Sequence, residues 1–302
     1  MKLALRLAFL LAIILTVPGC LETKQEITLN PNGSGKVVYE LKQPLNPFGS
    51  ISLGDSKQTA PEDSAKKEAQ TILDDSKGVD VWKDISYQAS DDGKFVFKGT
   101  AYFKSFNDLQ IGGSSKSNKD VTLKQDANSL SLNWVQTEKP TKEKSVPLSK
   151  EEISKKTKQT QIEMRQSLKM MEIFFKDFKD EVIFHLPGKI DKINNLSKVD
   201  DNTASLTING EEILKLMNAF VENADEIEKA VKEGRNVNDQ EFLQKYLMGS
   251  GSNLLENDEP PVVGVSGEMQ PLFDYNEEVA KAKKDFPAMS KKLGLNGKAS
   301  VK

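Results

Sequence analysis

Hydrophobic and polar positions alternate in two short runs near the start of the chain: Ile27 and Leu29 among polar neighbours, then Val37, Tyr39 and Leu41, with Asn30-Pro31-Asn32-Gly33-Ser34-Gly35 between them. A period of two places each set on one face of a strand, and an Asn/Gly-rich centre supplies the positive φ of a chain reversal, so a β-hairpin is predicted. Four more strands follow from the same alternation: Val79 to Ser90, Lys94 to Lys104, Val121 to Gln125 and Leu130 to Gln136. The pattern is clearest in Phe95, Phe97, Gly99, Ala101 and Phe103, and Asp91-Asp92-Gly93 and Ala127-Asn128 supply the tight turns. Before them, Pro61 opens a helix that Gly78 stops.

From Ser149 onward the period changes. Ser149 with Glu152 forms a capping box that starts a helix to about Lys179; Asn209 with Glu212 starts one to about Gly234, Asn238 with Glu241 one to Met248, and Asp274 with Glu277 the last. Strands are expected over Glu181 to Leu186 and Thr203 to Ile208, with turns at Asn194-Asn195 and Asp200-Asp201-Asn202. Met164, Leu168, Met171, Phe175 and Phe178 form one apolar seam, and Ile213, Met217, Phe220, Ala224, Ile227 and Val231 another. Ile173, Phe174, Leu214 and Val221 broaden both, which predicts that they face their own core and that Phe175→Ala would destabilise by about 3 to 5 kcal/mol. Residues 139–158 carry seven Lys and 211–233 carry seven acids, so mutually attractive rims are expected along these helices.

Pro and Gly make residues 43–60 a loop, 138–148 a linker, and Gly112 to Ser117 a flexible loop with no helix pattern behind it to cradle a phosphate. The expected fold is α+β: an antiparallel sheet of hairpins and meander with packed amphipathic helices. The division expected is 1–19, a β-rich region over 20–137, and a helix-rich α+β region over 138–302 that packs with the first or stands apart.

The first twenty residues change the picture. Lys2 and Arg6 precede the apolar run from Leu7 to Val17, which has the length of an export signal and is too short to span a bilayer. It leads into Val17-Pro18-Gly19-Cys20, which resembles the lipobox of bacterial lipoproteins: aliphatic, then small before an obligatory cysteine. The resemblance implies cleavage before Cys20, S-diacylglycerol on its sulfur and N-acylation of its freed amine. Cys20 is the chain's single cysteine, so no intramolecular disulfide forms and lipid gives the lone thiol a purpose. Leu21 follows, not the Asp that resembles an inner-membrane retention signal, which implies outer-membrane delivery facing the periplasm if the source has two membranes. The Asn32-Gly33-Ser34-Gly35 turn and the Leu186-Pro187-Gly188 strand end also resemble a group of bacterial lipoproteins of undefined activity that includes the LppM-like ones, implying a sheet with packed helices.

The chain is 302 residues long, 37% hydrophobic and 29% charged, with a net charge of −3 that becomes −5 without Lys2 and Arg6, a balance offering nothing to nucleic acid or to a polybasic membrane patch. His185 is the single histidine and lies in the apolar pattern of Val182, Phe184 and Leu186, where a structural strand residue is expected. Asp200-Asp201-Asn202-Thr203-Ala204 lacks the glycine and the oxygen ligand of a calcium loop and is expected to be a hairpin turn. No cofactor, metal or catalytic set is expected, so the chain is read as no enzyme. Two functions fit: a structural or protein-interaction lipoprotein of the envelope, or a module for an apolar ligand or lipid lined by Phe174, Phe175, Phe178, Met170 and Met171.

Overall fold

The first hairpin obeys its alternation. In a computed structural model describing residues 21–45, 60–112, 121–126, 128–134, 149–233 and 260–296, β1 (Glu22–Leu29) and β2 (Gly35–Pro44) pair antiparallel from Glu22 opposite Lys42 to Leu29 opposite Gly35. Gly33 takes φ +77° in the turn, a value that favours a residue without Cβ. β4 (Lys94–Phe103) adds to β2 from Gly35 opposite Phe103 to Pro44 opposite Lys94, and β3 (Val79–Ala89) adds to β4. Ile27, Leu29, Val37, Tyr39, Leu41, Phe95, Phe97, Ala101 and Phe103 all point into one core.

Two sheets result. The larger has the order β3-β4-β2-β1-β7-β10-β9, with β7 (Lys179–His185), β9 (Ser197–Lys198) and β10 (Thr203–Asn209). Thr23 contacts Asp180 and Glu26 contacts His185, so residue numbers rise together and β7 runs parallel to β1. That sheet is therefore mixed, where an antiparallel one was expected; the intervening chain gives the crossover a parallel pair needs. The smaller sheet has the order β5-β6-β11-β8, built from β5 (Val121–Asp126), β6 (Ser129–Trp134), β8 (Ile190–Asn194) and β11 (Val262–Ser266), antiparallel in each pair. β8, β9 and β11 had no expectation from sequence, because each is five residues or fewer and β8 and β11 find their partners far along the chain.

The core of these sheets also takes Ala65, Ala69, Ile72 and Leu73 from α1 (Pro61–Asp75), and Val279, Ala282 and Phe286 from α5 (Tyr275–Leu293). The Asp274 side chain accepts the Glu277 amide to start α5, and Gly294, in the left-handed region, ends it.

A second core belongs to the helices. Ser149 and Glu152 cap each other at the start of α2 (Lys150–Phe175), as expected, but the helix stops at Phe175 and residue 179 already belongs to β7. The helix expected from Asn209 to Gly234 is two, α3 (Gly210–Glu222) and α4 (Ala224–Lys232). Asn223 breaks it: at φ −88°, ψ 88° it ends α3 and turns its side chain to accept the Glu226 amide, capping α4. Met164 and Leu168 of α2 pack with Ile213, Met217, Phe220, Val221, Ile227, Ala230 and Val231, so the seams are intramolecular at these positions. Arg165 binds Glu222 through two hydrogen bonds of 3.0 and 2.7 Å, a bidentate pair at the edge of that seam.

The described chain falls into two units, each with its own core. Residues 149–179 and 208–233 form the helical unit; 21–134, 180–207 and 260–296 form the sheet unit. Strands within 180–207 and 260–296 pair with those that precede residue 135, so the sheet unit draws on three separate stretches of the chain. The 138–148 linker, the helix expected from Asn238 to Met248, most of the 43–60 loop, residues 113–117 of the Gly112 loop and residues 1–20 lie outside the described residues.

Candidate functional site

Cys20 lies outside the described residues, and β1 begins two residues later in the sequence, at Glu22. Outward along β1, Glu22 pairs with Lys42 at 3.5 Å and Lys24 with Glu26 at 3.8 Å, solvated contacts of little energetic weight. Inward, the strand is polar where the rest of the core face is apolar. The Thr23 hydroxyl donates to the Asp180 carboxylate. Burial pushes the Asp180 carboxyl up, and the Thr23 hydrogen bond opposes that in part. Gln25 stands directly across from Tyr39, and both are buried. Among the described residues, neither the Gln25 Oε1 nor the Tyr39 hydroxyl has a hydrogen-bond partner. Burial, then the Asp180 charge, pushes the Tyr39 phenol well above its ordinary value. Unpaired oxygens in such a place cost about 1–3 kcal/mol each unless water reaches them. Sequence alternation gave Tyr39 an inward position, but nothing local signalled that Asp180 would come beside Thr23.

On the outward face of the same strands, His185 links three elements. Its Nε2 lies 3.0 Å from Glu26 Oε1 and its Nδ1 lies 3.1 Å from Thr203 Oγ1. Hydroxyl, imidazole and carboxylate in that order are the parts of a nucleophilic triad. Thr203, however, is 4% exposed, so its hydroxyl has no open approach for a substrate carbonyl, and the contacts tie β10, β7 and β1 together. The Asp200 segment is the β9–β10 turn, with Asp200 accepting the Asn202 amide at 2.9 Å. That hydrogen bond, foremost, holds the Asp200 carboxyl below the usual range.

Along β3 and α5 a shallow cavity of about 260 Å³ is lined by Trp82, Lys83, Asp84, Asp285, Phe286 and Met289, among others. Asp84 takes φ +52° where the β3–β4 register shifts, a left-handed bulge residue. Further along, Glu278 accepts Tyr102 at 2.7 Å and Lys36 at 3.0 Å. Desolvation raises the Glu278 carboxyl, but the Tyr102 and Lys36 hydrogen bonds and the Lys36 and Lys83 charges together hold it below its ordinary value. Phe175 and Phe178 meet edge to face at 5.8 Å and pack half-buried on the helical core; the side chains of Met170, Met171 and Phe174 lie outside the described residues. Among the described residues, no group of three or more His, Cys, Asp or Glu could hold a metal ion, and no helix is long and apolar enough to cross a membrane.

No protein-family model matches the chain, and no curated protein matches it. Among solved structures, the NMR structure of the folded domain of LppM from Mycobacterium tuberculosis matches at 9% identity with a TM-score of 0.30, covering 64% of this chain and 84% of that one.

Proposed function

We propose that this chain is the precursor of a bacterial lipoprotein, tethered to the extracytoplasmic face of a membrane by lipid on Cys20 and serving the cell envelope as a non-catalytic structural or protein-interaction module. The observation that carries the reading is Val17-Pro18-Gly19-Cys20 at the end of an eleven-residue run from Leu7 to Val17, apolar save for Thr16. Two or three acyl chains on one residue anchor firmly, since each buried CH₂ contributes about 0.8 kcal/mol. The burial of Thr203 supports the non-catalytic part, because it leaves the His185 row as a cross-strand tie. Cys20→Ser tests the tether: the serine hydroxyl is a far weaker nucleophile than a thiolate, so uncleaved precursor is expected to accumulate without the mass of a diacylglyceryl group. Processing of the Ser variant at residue 20, with detergent partitioning like the wild type, would overturn it. Leu21 further supports outer-membrane delivery where two membranes exist, and fractionation finding the mature protein in the inner membrane alone would reject that destination.

A further inference from the structure

We propose that the sheet unit binds one monovalent cation, sodium or potassium, on the inner face of its larger sheet, through the oxygens of Thr23, Gln25, Tyr39 and Asp180. The four come from three adjacent strands, since β1 lies between β2 and β7. Thr23 and Gln25 are two residues apart on β1 and so share its inward face. Tyr39 stands across from Gln25 on one side, and Asp180 accepts the Thr23 hydroxyl on the other. Lys24, between them in sequence, faces outward and meets Glu26 at 3.8 Å, so this strand brings no ammonium to the place.

Each of the four residues offers an oxygen. Gln25 and Tyr39 are 2% and 0% exposed, and neither Gln25 Oε1 nor the Tyr39 hydroxyl has a hydrogen-bond partner among the described residues. Asp180 brings a charge to the same place, near enough to act on the Tyr39 phenol. Among the described residues no Lys, Arg or His offsets that charge, and the Thr23 hydroxyl alone opposes its desolvation. Ile27, Val37 and Leu41 around them are apolar. Buried charges are paired or coordinate a metal, and orphaned buried oxygens call for water or an ion. Water would satisfy the two neutral oxygens and leave the carboxylate unbalanced; a cation answers both needs at once.

Charge selects the ion. A single carboxylate balances a single positive charge, whereas calcium or magnesium would leave an uncompensated charge in the core. Calcium also takes about six to eight oxygens, commonly from several carboxylates, and magnesium holds on to much of its water. One carboxylate with three neutral oxygens therefore suits an alkali cation, a hard ion bound by oxygen alone.

Both tryptophans of the chain, Trp82 and Trp134, belong to the sheet unit, so their fluorescence follows its melting. The test melts the full chain in non-ionic detergent at neutral pH, in sodium, potassium or choline chloride of equal ionic strength. Choline is too bulky for such a site and screens exposed ion pairs to the same extent. Sodium or potassium is expected to raise the midpoint by about 2–4 °C over choline, and to saturate with concentration. The rise should vanish in Asp180→Asn, which keeps an acceptor for Thr23, and shrink in Gln25→Met. Asp180→Asn is then more stable than wild type in choline, where no ion offsets the carboxylate, and its lead narrows in the alkali salts. Equal wild-type midpoints in all three salts would overturn the proposal, as would a rise that survives in Asp180→Asn. A rise with calcium chloride and none with sodium or potassium would overturn the assignment of a monovalent ion.

Discussion

Glu278, in the first turn of α5, accepts the hydroxyl of Tyr102 on β4 at 2.7 Å, joining positions 176 residues apart. Tyr102 is 1% exposed, and burial, then its bond to Glu278, raises its phenol well above the ordinary value. Glu278→Ala leaves that hydroxyl and the Lys36 ammonium without their acceptor, and is expected to cost about 1–3 kcal/mol in urea denaturation. Because folding lowers the Glu278 carboxyl, its contribution is present above the unfolded value of about 4.3 and lost as pH falls through the folded one. The advantage of wild type over Glu278→Gln should therefore shrink on acidification, and a difference independent of pH would reject the charge-based account.

Asp180 carries the opposite sign. Folding raises its carboxyl, so it costs nothing below the unfolded value of about 3.9 and destabilises increasingly as pH rises through the folded one. Asp180→Asn keeps an acceptor for Thr23 without the charge and is expected to stabilise by on the order of 1 kcal/mol at neutral pH, with no gain in acid. Melting followed by circular dichroism across pH checks this, and a loss at neutral pH would show that the carboxylate is held by a partner.

In the helical core, the greater cost moves from Phe175 to Phe220. Phe175 is half-buried, whereas Phe220 is 2% exposed within the α2, α3 and α4 cluster. Phe220→Ala is expected to cost about 3–5 kcal/mol, with Phe175→Ala costing less. Chemical denaturation ranks the two, and the reverse order would contradict this packing.

Gly210 is where the backbone of α3 meets the end of α2. A Cβ there would lie 1.6 Å from the Phe175 carbonyl oxygen, and the Gly210 amide donates to the Phe178 carbonyl at 2.8 Å. No side-chain rotation relieves a clash with backbone, so Gly210→Ala is expected to cost more than about 2 kcal/mol. Hydrogen exchange should show the loss in α2 and α3, while protection of β1 and β2 stays as in wild type.

The elements legible in the sequence are those whose cause is local. Period-two alternation set β1 to β6, Ser149 with Glu152, Asn209 with Glu212 and Asp274 with Glu277 set three helix starts, and Gly78 and Gly93 marked reversals that both take positive φ. Each is an exchange of hydrogen bonds or dihedral preference within a few residues, so the nearby residues suffice to reveal it. Asn223 shows the limit of local reading: the apolar period runs through it unbroken, and its capping role appears only in the dihedrals it adopts.

What only the tertiary structure decided is which strands lie beside which. Val262 to Ser266 becomes a strand because β6 and β8 take its backbone hydrogen bonds, and β7 lies parallel to β1 across more than 150 residues of chain. That pairing puts Asp180 with Thr23 inside and His185 with Glu26 outside, since neighbouring residues of a strand face opposite sides. The sequence by itself carried the alternation that turned Tyr39 inward and the Val17-Pro18-Gly19-Cys20 pattern on which the proposed function rests, because both are written in consecutive residues. Register between distant strands depends on the whole core closing at once, and so the heights of Lys94, Pro44 and Glu22 along one sheet became visible only when it was folded.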